Sequence, residues 1–124
     1  MEQLLLHLIG DYLTQTHWMA TEKTRRTWAA FCHATVYALP FVLLTQSLAA
    51  LFVIWSTHLL IDRYRLARYV MFAKNWVTDR SLTWVDCQGT GYHKDVPPWL
   101  SVWLLIAADN TMHLCINYFA LRWL

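Results

Sequence analysis

Long apolar stretches dominate this chain, and polar residues fall either between them or at isolated positions inside them. Four stretches cover about residues 2–20, 27–45, 47–66 and 98–123. Each approaches the roughly 20 residues with which a helix crosses a hydrocarbon core about 30 Å thick. The first is the shortest and most polar, so it either spans under the shield of the others or lies partly in the interface. Pro40 sits inside the second with apolar residues on both sides, which predicts a kink in a continuing helix. Thr45-Gln46-Ser47 is a short uncharged connection and predicts an antiparallel hairpin of helices 2 and 3. Ala67 to Pro97 is the one long polar region. Its pattern predicts an amphipathic interfacial helix to about Val77, then a loop around Gly89-Thr90-Gly91. The predicted fold is all-α over a single domain, residues 1–124. It is a polytopic membrane four-helix bundle with an interfacial helix and loop, residues 67–97, between helices 3 and 4.

Composition points the same way. Of 124 residues 57% are hydrophobic, eight are Trp and only three are Gly; a soluble domain of this size lacks the interior to hide so much apolar surface. Lys23, Arg25 and Arg26 form one basic group, and Arg63, Arg65, Arg68, Lys74 and Arg80 a second. Both flank apolar segments, so the positive-inside rule puts both in the cytoplasm and both termini outside, in a multi-pass protein of the inner (cytoplasmic) membrane. Topology thereby accounts for the basic groups without a nucleic-acid partner. The first stretch lacks a basic leader and carries His7 and Asp11, which argues against a cleavable signal. Cys32, Cys87 and Cys115 are odd in number and show no C-x-x-C spacing, against both a disulfide framework and a cysteine zinc ribbon.

The isolated polar residues carry the chemistry. His7 and Asp11, His58 and Asp62, and Asp109 and His113 are three pairs spaced four apart, so each pair shares one helix face. Ionisable groups in bilayer-length apolar segments are costly and by default mark a functional interior. On the predicted topology Asp11, Gln15, His33, His58, Asp62 and Asp109 all lie within roughly 6 to 17 Å of the cytoplasmic helix ends, at about 1.5 Å per residue. Imidazole with carboxylate suits a divalent metal, zinc first, with manganese or iron as alternatives, and helix bundles build such sites from facing helices. The candidate ligands are His7, Asp11, His33, His58, Asp62, Asp109 and His113. That set exceeds one tetrahedral ion: either two metals share it, or some members orient the others. Gln15 and Asn110 are supporting hydrogen bonders, as is Asn117. His17 and His93 read as surface residues. A metal with an open position would activate water, and Asp11 or Asp62 would serve as the catalytic base.

The expected activity is metal-dependent hydrolysis of a membrane-proximal lipid or phosphoester, with membrane lipid as partner. The contrasting expectation is a non-catalytic membrane protein that binds and modulates a host membrane protein, with structural His-Asp pairs; a proton or ion path is a third. A homo-oligomer is compatible with each. Gly-x-Ser-x-Gly and His-Glu-x-x-His are absent. So are the further motifs of membrane acid phosphatases and the Asp-Gly-x-x-Ala-Arg of phospholipid-head-group transferases.

His7-Leu-Ile-Gly-Asp11, Gln15-Thr-His-Trp-Met-Ala20 with Lys23, then His33, His58-Leu-Leu-Ile-Asp62-Arg63 and Asp109-Asn110-x-x-His113 succeed one another in order. Together they resemble a domain-of-unknown-function family of small integral membrane proteins of bacteria and their phages. The resemblance covers most of the chain outside Val77 to Pro97. It implies a four-helix membrane fold, a phage or prophage origin and a functional set of His7, Asp11, Gln15, His33, His58, Asp62, Asp109 and His113. It implies no activity. Asn110 stands where that family usually has Gln, one methylene longer.

Overall fold

The computed structural model describes residues 1–124, and every regular element in it is a helix. The all-α class is thereby met. Two compact units are formed, residues 1–64 with 113–124, and residues 65–112.

In the first unit, α1 (Glu2–Leu8) runs into a π-helical segment, Ile9–Leu13. The first apolar stretch is therefore not one continuous helix. Its backbone breaks after Thr14, and α2 (His17–Glu22) restarts with Thr16 as cap, the Thr16 hydroxyl accepting from Met19 N at 3.3 Å. Helix α3 (Thr27–Ala38) tightens into a 3-10 segment, Leu39–Leu43. Pro40 explains the change, since it has no N–H for the carbonyl of Val36. After a short turn, α4 (Leu48–Tyr64) runs back along α3, and these two form the most extensive helix pairing of the unit. Arg65, with φ 53°, turns the chain at the end of α4.

The core of the first unit is Leu6, Tyr37, Phe41, Ala50, Ile54 and Ala120. It is small because polar side chains take the rest of the interior. His7, His33, His58, His113 and Asn117 are all at most 2% exposed, whereas Leu43, Leu48 and Phe52 are 82%, 82% and 64% exposed. This distribution inverts the usual one of a water-soluble domain.

The second unit holds α5 (Ala67–Thr78), α6 (Trp84–Cys87) and the first half of α7 (Pro98–Trp123). Its loop packs on α5 through backbone carbonyls: Arg68 Nη1 donates to Gln88 O at 3.2 Å and Asn75 Nδ2 to Gly91 O at 2.9 Å. Gly91 has φ 81°, and a Cβ there would lie 2.4 Å from Arg68 O, so conformation and space both require glycine. Helix α7 is long and apolar enough to cross a membrane.

Candidate metal centre

Three segments of the first unit deliver polar groups to one buried point. Asp11 comes from the π segment, where the widened backbone meets α3 at Gly10. A Cβ on Gly10 would stand 2.6 Å from Tyr37 Cδ2 and 3.2 Å from Tyr37 Cα, so only glycine admits this approach. A π segment in an apolar helix shifts the register of the residues after it and is frequent at functional sites. His33 comes from α3, and His58 and Asp62 from α4, one turn apart.

The four groups converge through one atom each. Asp11 Oδ1 lies 3.1 Å from His33 Nε2 and 3.3 Å from His58 Nε2. Asp62 Oδ2 lies at the same 3.1 and 3.3 Å from those two nitrogens. The two nitrogens are 3.0 Å apart. Each imidazole nitrogen carries one proton or one lone pair, so hydrogen bonds alone cannot satisfy every one of these approaches. The buried Asp11, His33, His58 and Asp62 can hold a metal ion.

A second layer surrounds these atoms. Asp62 turns Oδ1 towards His113 Nε2 at 3.4 Å, and His113 Nδ1 lies 3.2 Å from His58 Nδ1. With neutral rings one protonation pattern fits: His58 Nδ1–H donates to His113 Nδ1, His113 Nε2–H faces Asp62, and His58 Nε2 keeps a free lone pair. Asp11 Oδ2 faces His7 Nδ1 at 3.5 Å. The Tyr37 hydroxyl accepts from Asn117 Nδ2 at 2.6 Å and lies 2.9 Å from His7 Nδ1. Tyr37 also stacks on His58, with ring centroids 3.6 Å apart and planes 9° from parallel. Gln15 Nε2 donates to Asp11 O at 2.8 Å, bracing the backbone where the π segment ends.

Asp109, one turn before His113 on α7, belongs to the second unit. Asn110 donates through Nδ2 to Ile106 O, in its own helix, at 2.7 Å. His17 is on the exposed side of α2, and His93 pairs with Asp95 at 3.2 Å in the loop.

Two residues at the centre escape detection by spacing. Lys23 reads from the sequence as a topology signal and as part of the family motif, not as a site residue, yet its Nζ lies 2.7 Å from Asp62 Oδ2 and 3.2 Å from His33 Nε2. Tyr37 reads as an apolar aromatic; its position four residues after His33, on the same helix face, is the one signal that ties it to the site.

A family model described as a protein of unknown function (DUF3307) matches residues 1–76. The chain belongs to that family. The match covers Asp11, Lys23, His33, His58 and Asp62 and ends before α7. No curated protein and no solved structure matches the chain.

Proposed function

We propose that this DUF3307 protein is a multi-pass membrane protein that binds one divalent metal ion, most readily zinc, through Asp11, His33, His58 and Asp62. Five of the six separations among the four ligand atoms, from 3.0 to 3.3 Å, carry this reading. A tetrahedron with metal–ligand bonds of about 2.0 Å has edges of about 3.3 Å. The Lys23 ammonium balances only one of the two buried carboxylates, so two aspartates and two inward-facing imidazoles at that spacing favour a further cation. His7 and His113 then orient the carboxylates from behind, and His113 also fixes the tautomer of His58. Asp109 extends the polar face of α7 by one turn.

The membrane reading rests on the inversion of polar and apolar residues in the first unit, on the length of α7 and on the flanking basic groups. The basic groups favour a cytoplasmic position for the loop that carries Lys23 and the end of α4, with both termini outside.

The activity that suits such a centre is hydrolysis of a membrane-proximal phosphoester. A metal held by these four side chains would supply a water, with its pKa lowered towards neutrality, only by expanding to a fifth position, as zinc can. Asp11 and Asp62 each place one oxygen in the four-atom set and keep the other outside it, so either can relay a proton without leaving the centre. Tyr37 and the buried walls of α3 and α4 exclude bulk water from the inner side.

Elemental analysis of protein purified in detergent tests the proposal. Near one zinc, manganese or iron per chain is expected in the wild type, and near none in His58→Ala. Metal-free protein that keeps its fold and thermal stability through exhaustive chelation would overturn it.

A further inference from the structure

The Lys23 ammonium stands beside the His33–Asp62 edge of the centre, yet the ligand set is complete without it. Its side chain is 18% exposed, against 9% for Asp11, 5% for Asp62 and at most 1% for His33 and His58. Lys23 therefore marks the side from which a ligand enters. Its backbone is anchored: Lys23 N donates to Met19 O at 3.0 Å, closing α2. Arg63 Nη1 donates to Thr24 O at 2.8 Å and ties the next residue to α4. A long flexible side chain on a fixed base can swing outward, but its reach stays centred on this edge.

Charge then decides what it meets. Two aspartates balance a divalent ion, and the imidazoles are neutral, so Lys23 leaves the assembly with one surplus positive charge. A surplus charge at a low-dielectric site is costly unless an anion compensates it. Asp62 Oδ2, 2.7 Å from Nζ, lies between the ammonium and the ion but is shared by both, which leaves the ammonium only partly compensated. Lysine is a point-charge binder of phosphate oxygens, suited to an anion that approaches along a single edge.

We propose that Lys23 binds the anionic oxygen of a phosphate group held at this centre, which makes the ligand a phosphate ester or phosphate itself. The proposal rests on the metal reading above. Lys23 is thus an anion-binding residue rather than a ligand of the metal.

The test uses full-length zinc-loaded protein in detergent, as wild type, Lys23→Met and Lys23→Arg. Zinc content is measured alongside calorimetric titration with inorganic phosphate and with a short-chain phosphatidate. The wild type is expected to bind at least one of the two, and the tighter of them identifies whether the phosphate comes free or on a lipid. Lys23→Met is expected to keep its zinc and weaken phosphate binding about tenfold or more, an effect that Lys23→Arg partly restores. Zinc-loaded Lys23→Met that binds as tightly as the wild type overturns the role of Lys23 and leaves the metal centre standing. Zinc-loaded wild type that binds neither probe does the same. Wild type without zinc overturns both. Should Lys23→Met lose zinc, Lys23→Arg decides: full zinc with phosphate affinity shifted several-fold supports the proposal, and unchanged affinity refutes it.

Discussion

His33 Nε2 and His58 Nε2 face each other at 3.0 Å across the α3–α4 interface, with a carboxylate oxygen on either side. One proton between the nitrogens would satisfy that pair and leave Asp11 Oδ1 without a ring proton, while Asp62 Oδ2 keeps Lys23 at 2.7 Å; a divalent ion satisfies all four atoms at once. X-ray absorption of the zinc-loaded protein is expected to show four nitrogen or oxygen ligands near 2.0–2.1 Å and no sulfur near 2.3 Å. All three cysteines lie outside the cluster, so sulfur scattering would place the metal somewhere else.

His113 and Tyr37 touch His58 from two directions, one through Nδ1 and one through the ring face. Removing an orienting partner behind a ligand typically costs 10–100-fold in metal affinity. His113→Ala is expected to weaken zinc by about that factor while keeping the four-ligand shell. Tyr37→Phe preserves the stack and deletes the hydroxyl, leaving Asn117 Nδ2 and His7 without it, so it should cost about 1–3 kcal/mol of stability with a smaller effect on zinc. Competition with a colorimetric chelator separates the two variants. Equal zinc affinity in wild type and His113→Ala would show that His113 orients nothing.

Gly10 and Gly89 make a matched pair for testing the close packing of the π segment. An added methyl at Gly10 meets Tyr37 at 2.6 Å, whereas at Gly89 it meets nothing within 4 Å. Gly10→Ala must push the π segment away from α3, at about 1–3 kcal/mol, and should carry Asp11 out of reach of His33. Gly89→Ala should leave both stability and zinc binding unchanged. Thermal unfolding and zinc titration of the two variants check this; Gly10→Ala with wild-type values would mean that the π segment does not set the position of Asp11.

Helical content is legible in the sequence because long apolar runs and their interruptions show it directly. The four-spaced pairs identify His58 with Asp62 and Asp11 with His7, and depth along the predicted helices brings in His33. Three features are not legible. The π segment at Ile9–Leu13 has no local signature apart from Gly10, whose purpose emerges only when Tyr37 is seen against it. Lys23 is hidden by topology, since a basic residue at a helix end already has an explanation there. The inner and outer roles within the His-Asp set depend on which carboxylate oxygen faces which ring, a distinction that residue spacing cannot carry.

Asp86 and Lys94 offer a pH-dependent handle outside the apolar segments. Lys94 Nζ lies 2.7 Å from Asp86 Oδ1, and the Thr83 hydroxyl donates to Asp86 Oδ2 at 2.7 Å. The Lys94 hydrogen bond, followed by that of Thr83, holds the Asp86 carboxyl below its ordinary 3.8. The same bond raises Lys94 above its ordinary 10.5. A depressed carboxyl contributes stability above its unfolded value and loses it as pH falls through the folded one; a raised lysine contributes below its unfolded value and loses it as pH rises through the folded one. The tether across the loop is therefore constant between 3.8 and 10.5 and weakens outside that window on both sides. Lys94 is exposed and Asp86 partly so, and the effect is small and screened by salt. Trp84, two residues before Asp86 and stacked on Tyr69 at 4.7 Å, reports it through its fluorescence. The difference between wild type and Asp86→Asn is expected to be flat across the window and to vanish below its acid edge. A difference that persists at about pH 2, well below the ordinary carboxyl range, would assign the loop's order to the Lys94 N to Asp86 O backbone bond, which Asp86→Asn retains, together with changes unrelated to charge.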